Sequence, residues 1–143
     1  MHIILKFPLK PISTNEAHRA IKRGSFVSVI KSAQYRAFEH DVERLLDVDK
    51  LKQLESVYDR KKHVIQARII YFSPKFFTKD KSVSLTGGDL NHSKQVIDAI
   101  LKNSSLNDAY IKNINEFQFP AEEYSFEVHL YLQEIEKYLQ LAK

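Results

Sequence analysis

The stretch "HVIQARIIYF", His63 to Phe72, decides how the rest of the chain is read. It is the strongest strand in the sequence, dense in β-branched and aromatic side chains that suit a pleated surface. Toward the N-terminus, Ser32 to Lys61 turns helical, with Tyr35, Phe38, Val42, Leu45 and Leu46 recurring at three- and four-residue steps. "DVD" at Asp47 to Asp49 is poor helix material, so a break or a second helix is expected near Asp47 to Lys50. Before it, "SFVSV" (25–29) alternates as a short strand, and "STNEAHRAIKRG" (13–24) reads as a polar, basic loop. "HIILKF" (2–7) is a first strand closed off by Pro8 and Pro11.

Toward the C-terminus, "SPKFFTKDKSVSLTGG" (73–88) has turn chemistry and no period, and reads as a long mobile loop. "NHSKQVIDAILKN" (91–103) predicts a helix with Val96, Ile97, Ile100 and Leu101 on one face and Asn91 or Ser93 as its N-cap. "AYIKNINEFQF" and "EYSFEVHLYLQ" predict two strands joined across "PAE" as a hairpin. In the second, Tyr124, Phe126, Val128, Leu130 and Leu132 alternate with polar residues, the mark of a half-buried strand. The tail "EIEKYLQLAK" predicts a short helix. The expectation is a single α/β (α+β) domain over residues 1–143, a mixed β-sheet with one long and one short helix.

Composition narrows the function classes. At 143 residues the chain can bury a core without staples, and 43% hydrophobic with 28% charged residues is ordinary for a soluble protein. The absence of cysteine excludes disulfides and thiolate metal sites, and fits a cytoplasmic protein. "MHIILKFPLKP" is too short and too soon broken by prolines for a signal peptide or a membrane span. A net charge of +4 leans toward a polyanionic partner.

Two of the three glycines, Gly87 and Gly88, stand directly before Asp89 at a bend that opens a helix. A helix N-terminus favours an anion, and Lys94 in the first turn can reach the same spot. Asp108 follows the turn "NSSLN", and so short a helix-and-return can carry it back beside Asp89. Carboxylates that gather a hard cation, with a fixed ammonium nearby, are what metal-assisted phosphodiester cleavage needs. The bland alternative is a capping Asp, a turn Asp and a solvated Lys.

These residues resemble a family, the RusA-type Holliday junction resolvases of bacteria and their phages. "PISTNEAHRAIKRGSFVSVIKSAQYR" is similar to that family's opening, where Pro, Ser and Asn15 lead into a basic loop and a Tyr-Arg pair opens a helix. "GDLNHSKQVIDAI" is similar to Asp-x-Asp-Asn, two residues, Lys, three residues, Asp, and "LNDAYI" to Asp-Asp-x-x-Val/Ile. The resemblance runs from Pro11 to about Phe119. It implies a homodimer that binds four-way DNA junctions and cuts them in recombination and repair with magnesium or manganese. It makes Asp89 and Asp108 metal-binding and catalytic, and Lys94 catalytic. The sequence departs at the second Asp, which is either deleted or replaced by Asn91, and at "ND" in place of "DD". An amide oxygen at Asn91 can ligate magnesium but brings no charge, so metal affinity should fall. That departure motivates a rival reading, a weakened or inactive relative that recognises branched DNA by structure. A basic interaction protein with no nucleic-acid role is a third.

Basic side chains crowd two loops: His18, Arg19, Lys22 and Arg23 in the first, Lys75, Lys79 and Lys81 in the long one, beside Phe76 and Phe77. The cations suit phosphates, and an aromatic ring there suits stacking on an unpaired base, with a core anchor as the alternative. Lys10, Lys31, Lys61 and Lys62 read as solvated charges, and Tyr35 and Phe38 as core. His92 is the one histidine placed near a metal, with first-turn helix residue as its plainer role.

Overall fold

The computed structural model describes residues 1–85 and 92–143, and for Thr14, Asn15, Arg23, Phe26 and Ser28 the backbone alone. In chain order the elements are β1 (His2–Phe7), α1 (Thr14–Ala17), β2 (His18–Arg23), β3 (Phe26–Lys31), α2 (Ala33–Leu45) and α3 (Val48–Val57). Then come β4 (His63–Ser73), α4 (Ser93–Leu101), β5 (Ile111–Pro120), β6 (Ser125–Glu134) and α5 (Ile135–Gln140). Short 3-10 turns lie at Pro74–Phe76 and Asp108–Tyr110.

The strand "HVIQARIIYF" lies inside the main sheet as β4, in the order β1-β6-β4-β5. β4 pairs antiparallel with β6 and parallel with β5, so the sheet is mixed. Ile65, Ala67, Ile69 and Tyr71 of β4 face the core, joined by Phe126, Val128 and Leu130 of β6 and Ile3, Leu5 and Phe7 of β1. Onto this face pack Phe38 and Val42 of α2, Leu51 and Leu54 of α3, and Val96, Ile97 and Ile100 of α4. Each helix offers apolar residues at three- and four-residue steps, and the sheet offers every second residue; the two periods meet in one core.

The long helical stretch is two helices. Asp47 ends the run of α2 because its carboxylate accepts from the Lys50 amide and caps α3. Ser32 does the same for α2, accepting from the Tyr35 amide at 3.0 Å.

Four expectations are corrected. β5 and β6 are not a hairpin: both flank β4, one on each side, and residues 121–124 step across its end. Two strand spacings are only about 9.6 Å, which four residues span with ease. The "polar loop" after Ser13 is a helical turn, α1, followed by β2, which pairs with β3 as a separate ribbon. Part of the long loop is ordered, since Phe77 bridges Val83 and Ser84 N donates to the Phe76 carbonyl at 2.8 Å. His92, rather than Asn91 or Ser93, stands at the N-cap position of α4, without a side-chain cap bond, and Ser93 is the first helical residue; Asn91 itself lies outside the described residues.

Ile69 is fully buried at the centre of β4. Ile69→Ala should destabilise the fold by roughly 2–5 kcal/mol, read from the midpoint of urea unfolding. A loss under 1 kcal/mol would mean that β4 is not the core strand.

Candidate active site

The parallel pairing of β4 with β5 requires a crossover, and α4 lies within it. Five of the residues from Val96 to Leu101 are buried, which orients the helix. Lys94 and Asp98, four residues apart, share the remaining face, and their charged ends are 3.9 Å apart. After α4, buried Leu106 anchors the return, and Asn107 accepts from the Ala109 amide at 2.9 Å. That cap starts the 3-10 turn whose first residue is Asp108, so Asp108 precedes β5 rather than beginning it.

Asp98 and Asp108 line one cleft of about 490 Å³, together with His18, Lys31, Tyr35, Glu39, Lys102 and the Ser104–Asn107 segment. The carboxyl group of Asp98 is held above its ordinary value, first by burial. Lys94 opposes that shift, Asp108 adds to it by like-charge repulsion, and Lys31 and Glu39 act more weakly in opposite directions. Asp98 was not among the site residues expected, although "KQVID" carries the final Asp of the family pattern.

Glu39 was also missed. It projects from α2, is 4% exposed, and receives Lys31 Nζ at 3.1 Å on both carboxylate oxygens. Lys102 Nζ is 3.8 Å away. Lys31 is therefore not a free solvated charge. It is the last residue of β3, and the ion pair fastens the base of the ribbon to α2. His18, across from Lys31 in the ribbon, packs edge-on against Tyr35 with ring centroids 5.6 Å apart.

The remaining expected residues divide. Asp89 and Asn91 lie outside the described residues, so the expected meeting of Asp89 with Asp108 does too. Asn15 falls in α1 and Arg23 at the end of β2, on backbone evidence alone. Arg19 and Lys22 are exposed on the ribbon. Phe76 is a core anchor, 4% exposed, while Phe77 is partly open to solvent. Lys75 stands apart from the cleft, beside a small cavity with Tyr71 and His92. Lys79 and Lys81 are exposed on a tight turn closed by the Thr78 amide on the Ser82 carbonyl at 2.8 Å, with Lys81 at φ 65°. Hydroxyls of Thr78 and Ser82 and the Ser82 amide hold the Asp80 carboxyl down to about 2.

Among the described residues, no group of three or more His, Asp or Glu is gathered closely enough to hold a metal ion. What they do provide is an oxygen-only donor pair, Asp98 and Asp108, whose mutual repulsion a hard divalent cation would relieve. The donor chemistry fits magnesium or manganese. No helix of the described residues is long and apolar enough to cross a membrane. No protein-family model and no curated protein matches the chain.

The sign of the Asp98 shift sets a pH dependence. The folded chain holds this proton more tightly than the unfolded chain, so the group costs stability as pH rises above its ordinary value of 3.8. Asp98→Asn should therefore gain stability over wild type at pH 7 and lose the advantage near pH 3, as measured by urea unfolding at both. Equal stability of the two proteins at pH 7 would contradict the buried, charge-disfavouring environment of Asp98.

Proposed function

We propose that this chain is a structure-specific, metal-dependent endodeoxyribonuclease of the RusA type, which resolves four-way DNA junctions by paired nicking in recombination and repair. The observation that carries the reading is the shared cleft of Asp98 and Asp108, with the Lys94 ammonium 3.9 Å from Asp98. Those two carboxylates would hold the cation, and Asp89 and Asn91 are its further candidate ligands by sequence. When bound, the cation supplies an activated water and neutralises charge on the phosphate. Lys94, beside Asp98, would offset the negative charge that builds on phosphorus during in-line attack. Breakage of the P–O3′ bond then leaves 5′-phosphate and 3′-hydroxyl ends.

Lysines at the edges of the cleft, Lys31 and Lys102, keep it from repelling DNA outright despite three carboxylates. Arg19 and Lys22 on the ribbon and Lys79 and Lys81 on the tight turn supply phosphate contacts away from the cleft, with Arg23 a further candidate by sequence. Phe77, the more open of the adjacent pair, is the ring available for stacking.

A two-fold symmetric junction calls for two copies of the site, and the outer face of the main sheet supports a homodimer. All three main helices pack on the other face. The outer one carries Phe72 and Phe119, with rings 6.1 Å apart, and Arg68 over Phe117 and Tyr131. Phe117 and Phe119 are 42% and 46% exposed. A four-stranded face is about 19 Å wide and 20–33 Å long, the scale at which sheets stack about 10 Å apart. Phe117→Ser with Phe119→Ser should halve the mass measured by light scattering; an unchanged dimer would place the interface elsewhere.

The rival, a branched-DNA binder without activity, draws on Asn91 in place of an acidic residue. A synthetic four-way junction with magnesium or manganese separates the two. Wild type should nick opposing strands, and Lys94→Ala, Asp98→Asn and Asp108→Asn should each slow cleavage by about 100-fold or more while still binding the junction. Binding by wild type without cleavage in either metal would establish the rival.

A further inference from the structure

The β2–β3 ribbon belongs to neither layer of the core. It forms its own two-stranded sheet, six residues on each strand, and so extends for about 20 Å. Between His18 and Lys31 it carries four of the chain's 22 Lys and Arg and none of its 18 Asp and Glu, so the net +4 charge of the protein equals that of this ribbon.

The register sorts its side chains into two faces. His18 opposes Lys31, Ala20 opposes Val29, and Lys22 opposes Val27, so these six share one face. The inner end of that face, His18 and Lys31, lines the carboxylate cleft. The outer part holds Val27 at 68% exposure and Val29 at 69%, the two most exposed large hydrophobic residues of the described chain. Two β-branched apolar side chains stand open to water on one stripe, with a lysine beside them and a small alanine opposite. No packing need of the fold accounts for them.

We infer that this ribbon lies in the major groove of duplex DNA next to the cut site, with Val27 and Val29 packed on thymine methyl groups. The inference rests on the DNA-cutting reading above and adds to it a docking element and a base preference. The major groove of undistorted duplex admits a two-stranded ribbon, whereas the minor groove, about 6 Å wide, takes one only when the duplex is deformed. The thymine methyl is the one apolar group on a base edge in that groove, and aliphatic side chains are its usual contacts. Lys22, on the same face, is then placed for a flanking phosphate. Because the ribbon starts in the cleft and ends about 20 Å away, the bases it touches fall within about six base pairs of the scissile phosphate.

The test is fluorescence anisotropy of the full chain on four-way junctions whose arms carry either thymine or uracil in the first ten base pairs, about the length of one helical turn. Wild type should bind the uracil junction about four-fold more weakly for each buried methyl group that the uracil removes. Val27→Ala with Val29→Ala should bind both junctions alike, at the weaker level, with an unchanged melting temperature because both positions are exposed. Lys22→Ala should weaken binding to both junctions equally and flatten the salt dependence. Equal binding of thymine and uracil junctions by wild type, with cleavage intact, would overturn the ribbon assignment and leave the nuclease reading standing. Failure of wild type to bind any DNA, or binding of anionic vesicles in preference to DNA, would remove both.

Discussion

One pairing organises this molecule: β4 beside β5, running the same way. Parallel neighbours cannot be joined by a tight turn, so the chain must leave the sheet, cross a face and return to the starting edge. That excursion carries α4, and its buried stripe of Val96, Ile97 and Ile100 leaves Lys94 and Asp98 outward. The return passes Leu106 and sets down Asp108 just before β5 begins. Two carboxylates from opposite ends of the return thus share one cleft as a consequence of strand direction.

The cleft's third acidic residue works differently. Glu39 is buried on α2 and answered by two lysines, Lys31 from the ribbon and Lys102 from the end of α4. A buried carboxylate without partners would cost several kcal/mol, so the three elements are constrained to stay together. Glu39 therefore acts as a clamp between elements, whereas Asp98, paired with Lys94 at 3.9 Å, and Asp108 face the open cleft. Burial first, and then repulsion from Asp108, raises the Asp98 proton affinity, and a divalent cation would relieve that repulsion. The basic ribbon projects from the clamp, so under the proposed reading a polyanion on the ribbon would be led to the carboxylates.

Local signals in the chain carried far in some places and failed in others. Periodicity in Tyr35, Phe38 and Val42 and alternation in Phe126, Val128 and Leu130 gave correct buried faces, because burial repeats with the period of the element. Asp47 was legible as a break because it caps the next helix. The partner of β5 was not legible: "FQFPAEEYSF" has the look of a hairpin turn, and nothing local tells that another strand lies between. The first strand of the ribbon, β2, was read as a loop for a related reason, while "SFVSV" in β3 was read as a strand. Alternation of charged and small residues in "HRAIKR" has no buried face to reveal it. Of the cleft and its neighbours, Asp108 and Lys94 were singled out from the sequence, while Asp98 and Glu39 were not. Their importance comes from tertiary neighbours, which no window of sequence contains.

The most direct test of the proposed shared-cation site is carboxyl carbon NMR of Asp98 and Asp108 as a function of pH, with and without magnesium. The account predicts that Asp98 titrates above the usual 3.8, and that magnesium shifts both resonances and moves the Asp98 transition to lower pH. An Asp98 that titrates at its ordinary value, with neither resonance responding to the ion, would contradict it.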